Sequence, residues 1–141
     1  MSDCVFCKIV AGEIPSFKLY EDDDVLSFMD INPLHDGHCL IIPKQHHPNI
    51  FEAPGDVLAK IMPVVGRMAR AVNAALSPDG INIMQANGEA AGQSVFHIHF
   101  HVLPRVMGDD ARINWGLRPG DMDRIAANAE KIRAALAADG E

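Results

Sequence analysis

Long apolar runs and basic segments are both absent from this 141-residue sequence. No run approaches the roughly eighteen apolar residues of a membrane span, and the N-terminus MSDCVFCKIV lacks the basic start and apolar core of a signal peptide. We therefore expect a cytoplasmic protein with no membrane segment. Its 12 Lys and Arg against 19 Asp and Glu give a formal net charge of −7, which opposes binding to nucleic-acid strands but permits a small anionic ligand.

Cysteine is also scarce, with only Cys4, Cys7 and Cys39. An odd count without an export signal argues against a disulfide framework. The Cys4-x-x-Cys7 spacing leaves three interpretations open: zinc ligands, two ordinary buried thiols, or a redox pair. The redox interpretation is disfavoured, because no strand precedes the pair as it would in a thioredoxin-like motif.

Internal repeats, low-complexity blocks and linker-like stretches are missing too, so we predict one domain over residues 1–141. Strands and helices interleave, and tight turns such as the acidic one at Glu21 to Asp24 favour antiparallel pairs, which predicts an α+β fold. Helical spacing predicts a long helix over Asp56 to Leu76, which Pro63 should kink or effectively start. A short first helix should be capped by Asp3 and closed by Gly12, and strands are predicted over 16–21, 24–30, 38–44, 81–86 and 94–103. A last helix should run from about Asp121 to Ala138. The residues expected to face inward on it are Met122, Ile125, Ala129, Ile132 and Leu136.

The stretch GQSVFHIHFHVLP, residues 92–104, has a histidine at every second position three times over. In a strand, His97, His99 and His101 would share one face. All three imidazoles would fit one metal ion poorly, because the outer Cα atoms of a straight strand lie about 13 Å apart. The pattern favours nucleophilic catalysis by the central His99, whose other ring nitrogen should donate to a backbone carbonyl. The intervening residues would share the opposite, core-facing side: Phe96, Ile98, Phe100 and Val102.

The loop before these histidines, NGEAAGQS, is rich in small and flexible residues. Glycines let backbone amides approach an anion closely, and such concave groups of amides hold phosphate oxygens. Gln93 and Ser94 end this loop and can donate to a phosphoryl group or to its leaving atom.

The stretch GQSVFHIHFHVLP resembles the signature of the histidine triad (HIT) family, in which three histidines alternate with apolar residues. CVFCKIVAGEIPS, VLSFMDINPLHDGHCLIIPKQHH and INIMQANGEAAGQS look like that family's other segments in the usual order. The resemblance covers about residues 3–105 and leaves 106–141 as a C-terminal extension. It implies a HIT-like fold, an antiparallel sheet of about five strands with a central long helix and a C-terminal helix, and a homodimer whose sheets join across the two-fold axis.

The resemblance also implies a nucleotide hydrolase or transferase acting on purine nucleoside phosphoramidates, adenylates or dinucleoside polyphosphates of the AMP or GMP type. His99 would attack the α-phosphorus, and water would then release a nucleoside monophosphate from the nucleotidyl-histidine. His97 and His101 would orient His99 and contact phosphate, and Ser94 would assist the leaving group. The remaining residues that the resemblance assigns to the nucleotide are Asp30 at the ribose, Phe28 and Ile31 near the base, Asn87 near the phosphate, and Gln93 at the phosphate or leaving group.

No organic cofactor is implied, but the cysteine pair resembles a structural Zn²⁺ site found in a subset of bacterial members of the family. By that resemblance the ligands would be Cys4, Cys7, His46 and His97. Zinc on His97 would leave His101 as the main proton-handling partner of the nucleophile.

Two features leave the branch and the activity open. Trp115 lies twelve residues beyond Leu103, farther than the tryptophan that reaches across the dimer in the purine nucleoside phosphoramidase branch, whereas HVLPR resembles the dinucleoside polyphosphate hydrolase branch. Two other functions also remain: a non-catalytic nucleotide-binding module that works through a partner, and a zinc metallohydrolase that a chelator would inactivate.

Overall fold

The computed structural model describes residues 3–114 and 116–139, so Trp115 lies outside the described residues. In chain order the elements are α1 Val5–Val10, β1 Lys18–Glu21, β2 Val25–Met29, β3 Cys39–Pro43, α2 Gly55–Leu76, β4 Gly80–Met84, a 3-10 turn Glu89–Ala91, β5 Phe100–Arg105 and α3 Met122–Asp139. The strands form a five-stranded sheet in the order β1-β2-β3-β5-β4, and every neighbouring pair is antiparallel. The predicted α+β class and the antiparallel sheet of five strands are confirmed.

The central strands β2 and β3 are buried on both faces, because successive side chains of a strand point to opposite sides. One face packs on α2 through a core cluster that includes Val25, Ile41 and Val65. The other face carries a smaller cluster with α1. Because α1 has only six residues, it covers only part of that face and leaves room for a site beside it. The members of the smaller cluster are Phe6, Leu26, Phe28, Leu40 and Ile42.

Helix α2 runs without interruption from Gly55 to Leu76, although Pro63 lies inside it. Pro63 therefore does not mark the start of the helix, as one of our two alternatives had it. The proline is exposed, so water can satisfy the carbonyl that has lost its helical donor. The buried face follows the predicted helical spacing: Ile61, Val64, Val65, Met68 and Val72.

The triad stretch departs from the predicted strand over 94–103. β5 begins only at Phe100, and residues 95–99 are bends and irregular backbone. The N–H of Ile98 donates to the carbonyl of His47, 2.7 Å away in the loop after β3, and this bond holds the chain outside the ladder. Phe96 is consequently 49% exposed, whereas Ile98, Phe100 and Val102 are buried as predicted.

The first helix begins one residue later than predicted, since its N-cap is Cys4 and not Asp3. The Cys4 Sγ accepts the N–H of Cys7 at 3.4 Å. The helix closes as expected at Gly12, whose φ of 80° is a conformation that glycine adopts without strain.

The chain divides into two compact units, one up to Asp109 and one from Asp110 onward. The second unit contains α3, which has no buried side chain. The predicted inward face of this helix is therefore wrong: Ala129 is half-buried, and the other four residues are exposed, namely Met122, Ile125, Ile132 and Leu136. Its stripe is rich in alanine, and the described part of this unit contains no second apolar layer to cover it. Among the described residues, no helix combines the length and the apolarity needed to cross a membrane.

Candidate active site and metal centre

One ring nitrogen of His99, Nδ1, is hydrogen-bonded to the backbone, and the other, Nε2, is not used in that bond. Its Nδ1–H donates to the carbonyl of His97 at 2.7 Å, a bond that lies inside the protein. Since a neutral imidazole carries a single proton, Nε2 then holds a lone pair. Burial lowers the pKa of His99 below its ordinary value, which favours this neutral form. The ring packs edge-on against Phe6, with centroids 5.1 Å apart.

The tautomer of His101 is set by His38, a residue that sequence reasoning did not assign to the site. The N–H of Leu34 donates to His38 Nδ1 at 2.9 Å, so the proton of the neutral His38 ring lies on Nε2. That Nε2–H donates to His101 Nδ1 at 2.9 Å, which leaves the His101 proton on its own Nε2. His101 therefore presents an Nε2–H beside His99, whose Nε2 carries a lone pair. The ring centroids of the two residues are 5.0 Å apart.

Asp30 lies beside this pair and suggests a metal site that the hydrogen bonds argue against. Asp30, His38 and His101 each offer a ligand atom, all within 4.8 Å of one another. Asp30 Oδ2 lies 3.3 Å from His38 Nε2, the nitrogen that carries the proton. The hydrogen bond from His38 Nε2–H to His101 and the nearby Asp30 carboxylate thus account for this group without a metal ion.

Burial keeps the histidines of this cluster neutral. It lowers the pKa of His101 to about 4, with the neighbouring His99 and His38 acting in the same direction. It also lowers the pKa of His38, although Asp30 opposes that shift. At neutral pH the cluster therefore consists of uncharged imidazoles with defined donor and acceptor atoms.

His99 and His101 line a cavity of about 450 Å³, a size suited to a small organic ligand. The cavity lies on the α1 face of the sheet and has more apolar than polar lining. Among its described lining residues none is Lys or Arg, so a phosphate there would be met by imidazoles and amides. Three of the predicted nucleotide residues, Phe28, Asp30 and Ile31, line the same cavity, as does Ser94.

Two predicted nucleotide residues, Gln93 and Asn87, do not line this cavity. Gln93 is buried, and its Nε2 donates to the carbonyls of Pro48 at 2.6 Å and Val95 at 3.1 Å. Its Oε1 accepts the N–H of Gly88 at 2.8 Å. With both amide hydrogens used, Gln93 holds the glycine-rich loop in place and has no donor left for a phosphate.

Asn87 likewise belongs to a network that supports the loop. Its Oδ1 accepts the N–H of Ile50 at 2.8 Å and the amide of Gln85 at 2.7 Å. Its own Nδ2 donates to Gln85 Oε1, also at 2.7 Å. The carboxamide thus connects the loop after β4 to the segment that precedes α2.

His97 points away from His99 and His101 and meets the cysteine pair, so the three histidines do not share one face. The bend at residues 95–97 causes this divergence. The ring of His97 is fully buried, and its Nε2–H donates to the carbonyl of Pro43 at 2.8 Å. Burial lowers its pKa to about 4, and the lone pair of the neutral ring is on Nδ1.

The four predicted zinc ligands converge around that nitrogen. His97 Nδ1 lies 3.5 Å from Cys4 Sγ, 3.6 Å from Cys7 Sγ and 3.3 Å from His46 Nδ1. Cys7 Sγ and His46 Nδ1 are 3.4 Å apart. A tetrahedral zinc ion, with bonds of about 2.3 Å to sulfur and about 2.05 Å to nitrogen, separates its ligand atoms by about 3.3 to 3.8 Å. The measured distances match this range, and all four ligand atoms lie within 4.8 Å of one another, so the residues present fit zinc.

Comparison with known proteins agrees with this arrangement. A family model described as the HIT domain matches residues 11–108. This chain belongs to the HIT family. The adenosine 5'-monophosphoramidase of Candida albicans is 39% identical over 143 residues, which cover 96% of this chain and 93% of that protein.

HIT-family structures superimpose closely on the chain. A Streptococcus mutans protein matches with a TM-score of 0.92 and 44% identity, over 96% of this chain and 87% of that one. A zinc-bound histidine triad family protein from Mycobacterium smegmatis matches with a TM-score of 0.74 and 38% identity, over 95% and 98%. The HIT-like fold inferred from the sequence is thus confirmed.

The sequence does contain a signal for His38. Alternation along β3 places His38, Leu40 and Ile42 on one side, and Leu40 pairs with His101 of β5. His38 could therefore have been assigned to the triad side once β3 and β5 were paired. The backbone acceptors at Pro43 and His97 leave no comparable trace, because any residue supplies a carbonyl.

Proposed function

We propose that this HIT protein is a nucleotide hydrolase that forms a nucleotidyl-histidine on His99. Its substrates would be purine nucleoside phosphoramidates, adenylates or dinucleoside polyphosphates, and its product a nucleoside monophosphate. The observation that carries the proposal is the 2.7 Å bond from His99 Nδ1 to the His97 carbonyl, which leaves Nε2 as a lone pair in a cavity wall. The similarity to a phosphoramidase supports the same chemistry.

The two steps follow from the ring assignments. His99 Nε2 attacks the α-phosphorus, a P–N(His) bond forms, and the bond from phosphorus to the leaving nitrogen or oxygen breaks. The leaving atom needs a proton, for which His101 Nε2–H and the Ser94 hydroxyl are the donors at hand. Water then attacks phosphorus and gives a proton back to the group that protonated the leaving atom. The P–N(His) bond breaks, the nucleoside monophosphate is released, and His99 is regenerated.

The cavity offers a place for each part of a nucleotide. Asp30 would accept hydrogen bonds from the ribose hydroxyls, while Phe28 and the exposed Ile31 would contact a purine base. The amides of the loop fixed by Gln93 and Asn87 would meet the phosphate. In this proposal Gln93 acts as a positioning residue rather than as the ligand of phosphate or leaving group that the resemblance implied. Asn87, which the resemblance places near the phosphate, is a positioning residue as well.

We further propose a structural zinc ion on Cys4, Cys7, His46 and His97, with no organic cofactor. The ion would connect the start of α1, the loop after β3 and the segment before β5. His97 would be a zinc ligand, and its carbonyl would accept the Nδ1–H of His99, so it would not contact the phosphate directly. The cavity described above contains none of these four ligands, which favours histidine over zinc as the reactive group.

The test uses adenosine 5'-phosphoramidate, an aminoacyl adenylate and a dinucleoside polyphosphate, with monophosphate release followed for wild type and His99→Ala. We expect at least a ~1,000-fold loss of kcat/KM for His99→Ala on every substrate that wild type cleaves. An acid quench would hydrolyse the phosphorus–nitrogen bond of the adenylyl-enzyme. The reaction is therefore quenched with alkali, and the adenylyl-enzyme is detected by mass spectrometry. His47→Ala is the matched control, since His47 is not among the described residues that line the cavity and its ring is hydrogen-bonded to Gln45.

Other outcomes identify the two alternatives. Nucleotide binding without turnover in wild type would indicate a binding module, and full turnover by His99→Ala would exclude the nucleophile. Metal analysis of wild type and Cys4→Ser tests the zinc ligands. A chelator that abolishes turnover while circular dichroism shows an intact fold would favour a metallohydrolase.

Two remaining expectations are kept as proposals. β4 is an edge strand in the described sheet, and Ile83 on it is exposed, as a homodimer that joins two sheets there would require. A monomeric mass in solution at micromolar concentration would count against that dimer. The cytoplasmic location stays a prediction from the sequence.

A further inference from the structure

A second cavity of about 400 Å³ lies next to the catalytic one, and no step proposed so far uses it. The two cavities have Val5, Ser94 and Val95 in common. The two cavities therefore adjoin at these residues. Its wall also includes Asp3 and Phe96.

The wall has an unusual composition for a surface hollow. Phe96 is 49% exposed and Val5 is 38% exposed, so two apolar side chains face water beside a reactive centre. Exposed apolar surface that adjoins a cavity is typical of binding sites. Asp3 adds an exposed carboxylate at the same wall. An occupant matched to this wall would have an apolar body and a positively charged end.

The zinc ligands Cys4 and His46 form another part of the wall. Their side chains are engaged with Cys7 and His97, so they are held in place and offer a rigid surface. The cavity is thus shaped by the metal centre on one side and by the end of the glycine-rich loop on the other.

Reaction geometry connects the two cavities. In phosphoryl transfer the attacking and leaving atoms lie roughly in line across phosphorus. His99 lines only the first cavity, where Phe28 and Asp30 would hold the nucleoside. Ser94 belongs to both cavities, so a leaving atom near its hydroxyl carries the rest of the leaving group toward Phe96 and Asp3.

We propose that the second cavity is the leaving-group subsite, and that it selects leaving amines with an apolar body ending in an ammonium group. This proposal rests on the proposed hydrolase function, because it assigns a role to one end of the same substrate. The size of the cavity suits a chain of several methylenes or a single ring. Phe96 supplies the apolar contact, and Asp3 supplies the charge.

Three adenosine 5'-phosphoramidates test the proposal, with ammonia, hexylamine and 6-aminohexylamine as leaving groups. The measured quantity is the ratio of kcat/KM for each alkyl compound to that for the unsubstituted one, so a change common to all substrates cancels. In wild type the ratio should be highest for aminohexyl and intermediate for hexyl. Phe96→Ala should lower both ratios about tenfold, the loss typical of a missing apolar contact.

Asp3→Asn should lower only the aminohexyl ratio, by roughly threefold to fivefold, as expected for an exposed ion pair. Phe51→Ala and Asp23→Asn are the matched controls, because both residues are exposed and neither is among the described residues that line the two cavities. Both controls should leave the ratios at their wild-type values. Ratios that do not change in Phe96→Ala, or equal loss for all three compounds, would overturn the proposal.

A binding measurement separates failure of the subsite from failure of the proposed function. In the His99→Ala protein the three compounds bind without turnover, and calorimetry gives their dissociation constants. The same order of affinity, and the same losses in Phe96→Ala and Asp3→Asn combined with His99→Ala, are expected there. If wild type cleaves nothing but this order holds, the subsite stands and the hydrolase proposal falls; equal affinities for all three compounds overturn the subsite whatever the activity.

Discussion

At the scale of single residues, the histidines of this protein differ by the atoms to which their ring nitrogens are bonded. His99 and His97 each donate one N–H to a backbone carbonyl, whereas His101 accepts a hydrogen bond from His38 Nε2–H. In the proposed function the same amino acid would therefore provide a nucleophilic lone pair, a metal ligand and a proton donor. Burial lowers the pKa of His97, His99 and His101, so these roles do not depend on charge at neutral pH.

His38 is a positioning residue for His101, and its substitution should slow catalysis without loss of the fold. In His38→Leu the donor to His101 Nδ1 is removed, so both neutral tautomers of His101 become populated and less of it presents Nε2–H. We expect kcat to fall about 10- to 100-fold with little change in KM. His38→Gln, which keeps a donor, should recover part of the loss. Nitrogen-15 chemical shifts of the His101 ring should show the change of tautomer directly.

The control for that prediction is His35→Leu in the same connection between β2 and β3. His35 contributes its backbone carbonyl to the N–H of His38, and its ring lies outside the catalytic cavity. Equal losses in the two leucine variants, with the His101 tautomer unchanged, would show that His38 has only a structural role.

The sequence indicated much at this scale, but not the partners of each ring. The central position of His99 and the spacing of Cys4 and Cys7 are visible as patterns in the sequence. In the structure His99 lines a cavity together with His101, and the two cysteines lie close to His46 and His97. The separate direction of His97 is not visible, because it depends on a hydrogen bond between Ile98 and His47, which are 51 residues apart in the sequence but adjacent in space. Hydrogen bonds to backbone carbonyls carry no residue code.

At the scale of elements, the connection between β2 and β3 shapes the site. It carries Asp30 and Ile31 at one end and His38 at the other, and the N–H of Asp30 donates to the carbonyl of His38 at 3.1 Å. Gly37 lies just before His38 with φ of 90°. A Cβ at position 37 would lie 2.5 Å from Leu76 Cδ1 and 3.1 Å from Pro104 Cγ. The connection is thus wedged against the end of α2 and against β5.

Gly37→Ala should therefore destabilise the protein by about 2 to 3 kcal/mol, from the strained φ and the displaced neighbours. Gly12→Ala is the matched control: its φ is 80°, but nothing lies within 4 Å of the added Cβ. That variant should lose only about 1 kcal/mol. Urea unfolding at constant m-value measures both. Equal losses would mean that the contacts at Leu76 and Pro104 adapt without cost.

Elements with strong local signals were the ones that the sequence predicted well. The helical spacing and the turn at residues 77–80 locate α2 to within a residue at each end. β5 was predicted six residues too long at its start, since alternation of apolar residues looks the same in a ladder and in a bent segment packed on both sides. In α3 the spacing was helical as predicted, but it did not determine burial.

At the scale of the whole molecule, three buried imidazoles and one half-buried imidazole make stability depend on pH. The folded-state pKa values of His38, His97, His99 and His101 all lie below the ordinary 6.5. Between pH 6.5 and about 4 the unfolded chain therefore binds protons that the folded chain does not. The free energy of unfolding must fall as the pH falls through this window, and the loss is absent above it.

Guanidinium unfolding of the Cys4→Ser protein at pH 7.5, 6.5, 5.5 and 4.5 should show this decline without a contribution from zinc release. His101, with a pKa of about 4, should account for on the order of 2 kcal/mol once solvent access is allowed for. His101→Asn should flatten the decline by that amount. A stability that stays constant from pH 7.5 to 4.5 would contradict the assignment of neutral buried rings.

The carbonyl of His97 has one further consequence, for how such a protein can change over generations. Substitution at position 97 replaces a ring but leaves the main-chain oxygen that holds His99, because every amino acid carries the same carbonyl. Replacement of Cys4, Cys7 or His46 also leaves that oxygen in place. A lineage could therefore acquire or discard the proposed zinc ion by point mutation while inheriting the proposed nucleophile unchanged, so the two groups of residues are free to evolve separately.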